Sequence, residues 1–174
     1  MTTQTHIIRN AKEEEFATIG KLMVNVYSNL EGFPKADEQP QYYEMLTNIG
    51  EITKKPFTEL IVAVSKKGKV DGAVVYFSDM TSYGSGGSAT QERNASGFRL
   101  LAVSENVRGL GLGKKLSLAC IEKAKNIGHQ KVVIHSTEYM KKAWRMYENL
   151  GFGRAEDLDF KQESLPVFGF RLFL

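Results

Sequence analysis

The sequence predicts an α/β fold in which a sheet is layered with helices. Three observations carry that prediction. Apolar residues at helical spacing alternate with short runs rich in Val, Ile and aromatic residues. Their order is strand, two helices, antiparallel strands, then strand–helix–strand–helix–strands. At 174 residues the chain has the length of a single domain, 1–174, and can bury a core without staples. Its composition, 42% hydrophobic and 25% charged, matches soluble globular proteins and argues against a disordered chain.

The same arithmetic excludes several functions. The lone cysteine, Cys120, allows no internal disulfide and no zinc site built from several cysteines, so no metal is expected. Net charge is +3, from 23 basic and 20 acidic residues, which does not demand nucleic acid as a partner. Residues 1–10 lack the apolar core of a signal peptide, and no apolar run is long enough to span a membrane. A cytoplasmic protein with no membrane partner is the expectation.

His6–Arg9 reads as an edge strand. Asn10 reads as an N-cap, with Glu13, Glu14 and Glu15 at the positive end of a helix running to about residue 30. Phe16, Ile19, Met23, Val26 and Leu30 give that helix its face. Pro40 opens a second helix, where its missing N–H costs nothing, and Tyr42, Met45, Leu46, Ile49 and Ile52 share one side of it. Leu60–Val64 and Gly72–Phe77 are strands joined by a Lys66–Lys69 turn. A loop of about 17 residues follows, with a flexible glycine-serine segment at 83–88; loops of this length are often functional.

Phe98–Val103 is the next strand. A helix running to about Ile127 places Leu116, Cys120, Ala124 and Ile127 on one face, which makes Cys120 a buried, inert thiol. Lys131–Ser136 is strand-like, and a helix from about Glu138 to Leu150 is closed by Gly151 at its C′ position. Phe152–Phe160 and Val167–Leu174 form a closing hairpin.

Between the Phe98–Val103 strand and its helix lies Arg108-Gly109-Leu110-Gly111-Leu112-Gly113, followed by Lys114 and Lys115. Glycines let a ligand approach the backbone, and successive amides at a helix N-terminus bind anions. Spacing separates the families that use this device. A Walker A loop would need glycine where Arg108 stands, and Ser or Thr where Lys115 stands. The dinucleotide fingerprint would need its third glycine at Lys114 or Leu116. What fits is Arg-x-x-Gly-x-Gly at Arg108, Gly111 and Gly113, after the apolar strand Leu100–Val103. A later helix carries Ala143, Tyr147, Gly151 and Phe152 at the spacing Ala-x-x-x-Tyr-x-x-x-Gly-Phe.

In these two motifs, and in its order of elements, the chain resembles the GCN5-related N-acetyltransferase (GNAT) superfamily. The resemblance implies a central mixed, mostly antiparallel sheet flanked by helices. It implies acetyl-CoA as acyl-donor substrate, a primary amine as acceptor, and direct transfer in a ternary complex. Carried over by motif, Leu101, Ala102 and Val103 pair with the pantetheine arm at a splayed strand. Arg108, Gly109, Leu110, Gly111, Leu112, Gly113 and Lys114 hold the pyrophosphate, and Ala143 leaves room for the cofactor. Tyr147 stands where the family places a general acid. A phenol is neutral at pH 7 and can protonate a departing thiolate.

Two positions depart from the family pattern. Met140 replaces an Asn that contacts the cofactor, and Ser96-Gly97-Phe98-Arg99 offers no carboxylate base. Glu92, His135 and Glu31 are the candidate bases, with a water relay as the other route. The loops expected to shape the acceptor pocket, 31–40, 79–96 and 157–166, contain eight carboxylates, which suggests a cationic amine. The alternative function is an acyl-CoA-binding module without turnover. A monomer and a homodimer both remain open.

Overall fold

The computed structural model describes residues 6–84 and 86–174. Its strands are β1 (Ile7–Asn10), β2 (Thr58–Val64), β3 (Val70–Phe77), β4 (Ala95–Val103), β5 (Lys131–Ser136), β6 (Gly153–Arg154), β7 (Phe160–Gln162) and β8 (Leu165–Phe173). Its helices are α1 (Phe16–Ser28), α2 (Pro40–Thr47), α3 (Leu112–Asn126) and α4 (Lys141–Asn149). The sheet order is β1-β2-β3-β4-β5-β8-β6, with β7 also on β8. Every pairing is antiparallel except β4–β5.

The period-2 geometry of the strands divides the core in two. Leu60, Val62, Val64, Ala73, Val75 and Phe77 face one side, where Ile19, Met23 and Val26 of α1 and Leu46 of α2 cover them. Ile61, Ala63, Val74, Tyr76 and Phe98 face the other, under Leu112, Leu116, Cys120 and Ala124 of α3 and Tyr147 of α4. β2 and β3 are therefore apolar on both faces and read as continuous hydrophobic runs.

Four expectations need correction. The second helix ends at Thr47, and Ile49 and Ile52 lie in a separate 3-10 helix, Ile49–Lys54. Asn10 does not cap a helix: it is the last paired residue of β1, opposite Ile61, and its amide donates to Glu59. A 3-10 turn at Glu13–Glu15 comes first, held by the Glu15 carboxylate, which accepts from the Lys12 N–H at 2.8 Å and from both ends of the Arg9 fork. The segment 152–160 is not one strand: a 3-10 turn at Glu156–Leu158 splits it into β6 and β7, because Leu158 turns inward and is buried. Gly169 makes room for that turn, since a Cβ there would lie 2.3 Å from Leu158 Cβ. The long loop is anchored: Met80, Tyr83 and Ala89 are buried, and two 3-10 turns shape it, while Ser85 within it lies outside the described residues.

Candidate active site

The site begins as a fault in the sheet. β4 and β5 pair only from Ala95–Gly97 to Lys131–Val133. Beyond Gly97, β4 follows β3 and β5 follows β8, so the two central strands part. The register on β3 runs Val75↔Arg99 and then Ala73↔Ala102, so Leu100 and Leu101 together face Val74. Leu100 sits at this bulge with φ +60, a left-handed conformation that a γ-branched residue adopts only at a cost. Bulges bend the strand that carries them, and this bend accompanies the opening of the cleft.

The cleft has a volume of about 100 Å³ and is lined by Tyr27, Phe33 and Tyr42 from the α1–α2 side and by 98–101 of β4. His135 and Ser136 of β5, Met140, Ala143 and Tyr147 around α4, Phe160 and Gln162 of β7, and Val167 of β8 complete it. Tyr147 is 6% exposed, stacked edge-on against Phe98 and Phe152, and no described residue hydrogen-bonds its hydroxyl. Burial pushes its phenol well above the usual range, so it is neutral at every working pH. Leu101 turns its carbonyl to the Tyr27 hydroxyl, which donates at 3.1 Å.

At the mouth, β4 passes through a 3-10 turn at Glu105–Val107 into the glycine loop and α3. Gly109 and Gly111 have φ +89 and +77, and a Cβ on either would meet nothing within 4 Å. Glycine is required there by conformation and not by space. Gly111 is the N-cap of α3, and the first helical bond is Lys115 N–H to Gly111 O. The N–H groups of Leu112, Gly113 and Lys114 therefore have no intrahelical acceptor. Arg108, Lys114 and Lys115 are exposed around them. Gly113 lies beside Met146 and Leu101, which ties this helix end to the cleft.

The candidate bases are scattered. Glu92 is outside the cleft, paired with Lys131 at 2.8 Å and with Arg171; the two cations outweigh burial and hold its carboxyl below the usual range. Glu31 is exposed and is not a cleft residue. His135 does line the cleft, but its Nε2–H donates to the Leu158 carbonyl at 2.9 Å and its Nδ1 accepts from the Tyr83 hydroxyl at 2.8 Å. Burial lowers its pKa to about 4, so it is neutral, with its lone pair already engaged.

The acidic loops expected to attract a cation do not present a cluster to the cleft. Asp157 pairs with Arg171 and Asp159 with Arg154, and Asp79 caps a 3-10 turn through Thr81. Among the described residues no carboxylate lines the cleft, whereas Arg99 does. Sequence reasoning missed Arg99, although its signal was present as a single charge inside the apolar run Phe98–Val103. It also missed the aromatic wall of Tyr27, Phe33 and Phe160, whose members come from distant segments. Cys120 is fully buried and its thiol is pushed up by burial, as a core residue should be.

The model of the acetyltransferase (GNAT) family matches residues 23–152. The chain belongs to this family, whose members use acetyl-CoA as acyl donor. Over 54 residues it is 39% identical to the uncharacterized N-acetyltransferase YjgM of Escherichia coli K12, a match spanning 31% of this chain and 30% of that relative's length. The fold is similar to that of a GNAT-family acetyltransferase from Staphylococcus aureus Mu50, with TM-score 0.74 and 17% identity over 98% of this chain and 99% of that one. It is also similar to yncA from Salmonella typhimurium, solved with its cofactor acetyl-CoA, with TM-score 0.62 and 19% identity over 98% and 94%.

Proposed function

We propose that this chain transfers the acetyl group of acetyl-CoA to a primary amine within one ternary complex. The observation that carries the reading is the meeting, at one sheet fault, of three parts. They are an unpaired strand edge after Gly97, a helix end with free N–H groups beside it, and a neutral, unpartnered tyrosine hydroxyl in the gap. The edge from Leu101 to Val103, open towards β5 apart from the Leu101 carbonyl that accepts from Tyr27, suits an extended amide-bearing arm. Arg108–Lys114 suits a pyrophosphate.

In the reaction the amine nitrogen attacks the thioester carbonyl carbon and forms the C–N bond. A main-chain N–H on the free edge of β4 stabilises the oxyanion. The C–S bond then breaks, and Tyr147 gives its proton to the sulfur. Tyr147 is a weaker acid than a thiol in water, but a thiolate leaving into the same apolar pocket is also poorly solvated and correspondingly more basic. The amine loses its proton to water at the open side of the cleft, since no carboxylate among the described residues lines it. Water restores the proton of Tyr147.

The test is thermal unfolding with acetyl-CoA, CoA, ATP and NAD singly, followed by an amine screen that reads free thiol. A ligand at 100 times its dissociation constant adds about 2.7 kcal/mol, a shift of roughly 5–10 °C for a chain of this size. A shift with the two CoA compounds alone, and thiol release that depends on an amine, are expected. A shift with ATP or NAD instead would overturn the reading. CoA binding without turnover of any amine would make the chain a binding module.

A further inference from the structure

Arg99 stands in β4 immediately before the Leu100 bulge, and its side chain lines the cleft. Its Nη1 donates to the Tyr83 carbonyl at 2.8 Å, and its guanidinium lies 5.5 Å from the centre of the Tyr83 ring. Among the described residues no carboxylate pairs with it. The contrast with the other arginines of the sheet strands is sharp. Arg9 forks onto Glu15, Arg154 onto Asp159 and Arg171 onto Asp157.

The surroundings of Arg99 do not neutralise it. Tyr27, Tyr42 and Tyr147 are phenols pushed up by burial, and His135 is neutral, its protonation disfavoured by burial and further by Arg99 itself. The cleft is thus a small space with aromatic walls and one uncompensated positive charge. A guanidinium withdrawn from water needs a partner, and its planar fork matches a carboxylate with two parallel hydrogen bonds.

We infer that the acetyl acceptor is a small amine carrying a carboxylate, and that Arg99 is the residue that holds this carboxylate. The inference rests on the transferase reading and specifies its second substrate. Arg99 contributes specificity and no proton. The cleft volume of about 100 Å³ suits the head of a small molecule, with Phe33, Tyr42 and Phe160 left to contact its apolar part.

The experiment uses calorimetry on the protein saturated with CoA. The probes are the twenty L-amino acids, their α-amides and the corresponding amines without the carboxylate. Thiol release with acetyl-CoA is measured on the same set. Hydrogen bonds to a charged group make a carboxylate-bearing probe bind and react about 10- to 100-fold better than its amide. Arg99→Gln abolishes that difference, Arg99→Lys keeps part of it, and affinity for CoA is unchanged in both.

Amides or simple amines binding as well as the carboxylates, or no carboxylate binding at all, overturns the inference while the transferase reading stands. Arg99→Gln that weakens every probe and CoA alike also overturns it and makes Arg99 a scaffold for Tyr83. Failure of CoA to bind the wild-type chain is a separate observation and removes the transferase reading itself.

Discussion

Of the cleft residues with shifted proton affinities, Tyr147 and His135 differ in what the shift does. Burial without a hydrogen-bond partner keeps Tyr147 neutral and its O–H free to donate. Tyr147→Phe removes that proton and one oxygen from a wall otherwise held by Phe98 and Phe152. The expected result is a fall in kcat of about 100-fold, with acetyl-CoA affinity within twofold of wild type. Equal loss of rate and affinity would make the residue a packing element. His135 acts on stability. Its folded pKa of about 4 lies below the ordinary 6.5, so between those values the unfolded chain binds a proton that the folded chain does not. Stability is full above pH 6.5 and falls as pH drops towards 4. Between pH 7 and 5 this group alone costs about 2 kcal/mol. Urea unfolding of His135→Asn should show a correspondingly flatter dependence over that interval, and an unchanged slope would disprove the shift. Tyr147 was legible in the sequence because a motif spacing marks it. Arg99 left a signal as the lone charge in its strand, but its surroundings and the engaged state of His135 were not legible, because they depend on Tyr83, Leu158 and Tyr42 arriving from other parts of the chain.

At the scale of elements, glycine does two different jobs. Gly20 permits contact: a Cβ there would lie 2.1 Å from the Thr47 carbonyl, so α1 and α2 touch backbone to backbone. Gly20→Ala gains helix propensity but must push the helices apart. The clash prevails, with a loss of about 2 kcal/mol in urea unfolding. Gly111 permits conformation: its surroundings are open, but φ is +77. Gly111→Val has space for its side chain yet strains the backbone by about 1–2 kcal/mol. Relaxing that strain re-aims the N–H groups at the start of α3. The acetyl-CoA dissociation constant should rise more than tenfold while the cooperative unfolding transition persists. Unchanged affinity would remove this loop from the donor site. Helix and strand identities were readable because apolar spacing and Gly or Pro boundaries are local. The start of α1 was misplaced because Asn10 is claimed by β1 pairing, a non-local bond that no local pattern reports. The closing segment was misread for a similar reason: Leu158 leaves the strand to fill space beneath Gly169.

Across the whole molecule, the sheet is continuous at its β4–β5 seam for only three residue pairs. Two bodies of sheet, β1–β4 and β5–β8, share that short seam and separate towards the cleft. The unpaired edges of β4 and β5 beyond the seam should exchange amide hydrogens faster than the fully paired β2 and β3. An acyl donor lying in the gap would act as an inserted strand, hydrogen-bonding edges that the protein leaves open. Saturating CoA should therefore slow amide exchange in residues 98–103 and 133–136 and at the start of α3. β1, remote from the cleft at the other edge of the sheet, should change little. Hydrogen exchange read by mass spectrometry, with and without CoA, distinguishes this from a general gain in stability, which would slow exchange across β1, β2 and β3 as well. Protection confined to α3, with none at 98–103, would mean that the phosphates bind while the arm lies outside the sheet. The strand-insertion account of the cleft would then fail, and with it the placement of Tyr147 beside the reacting sulfur.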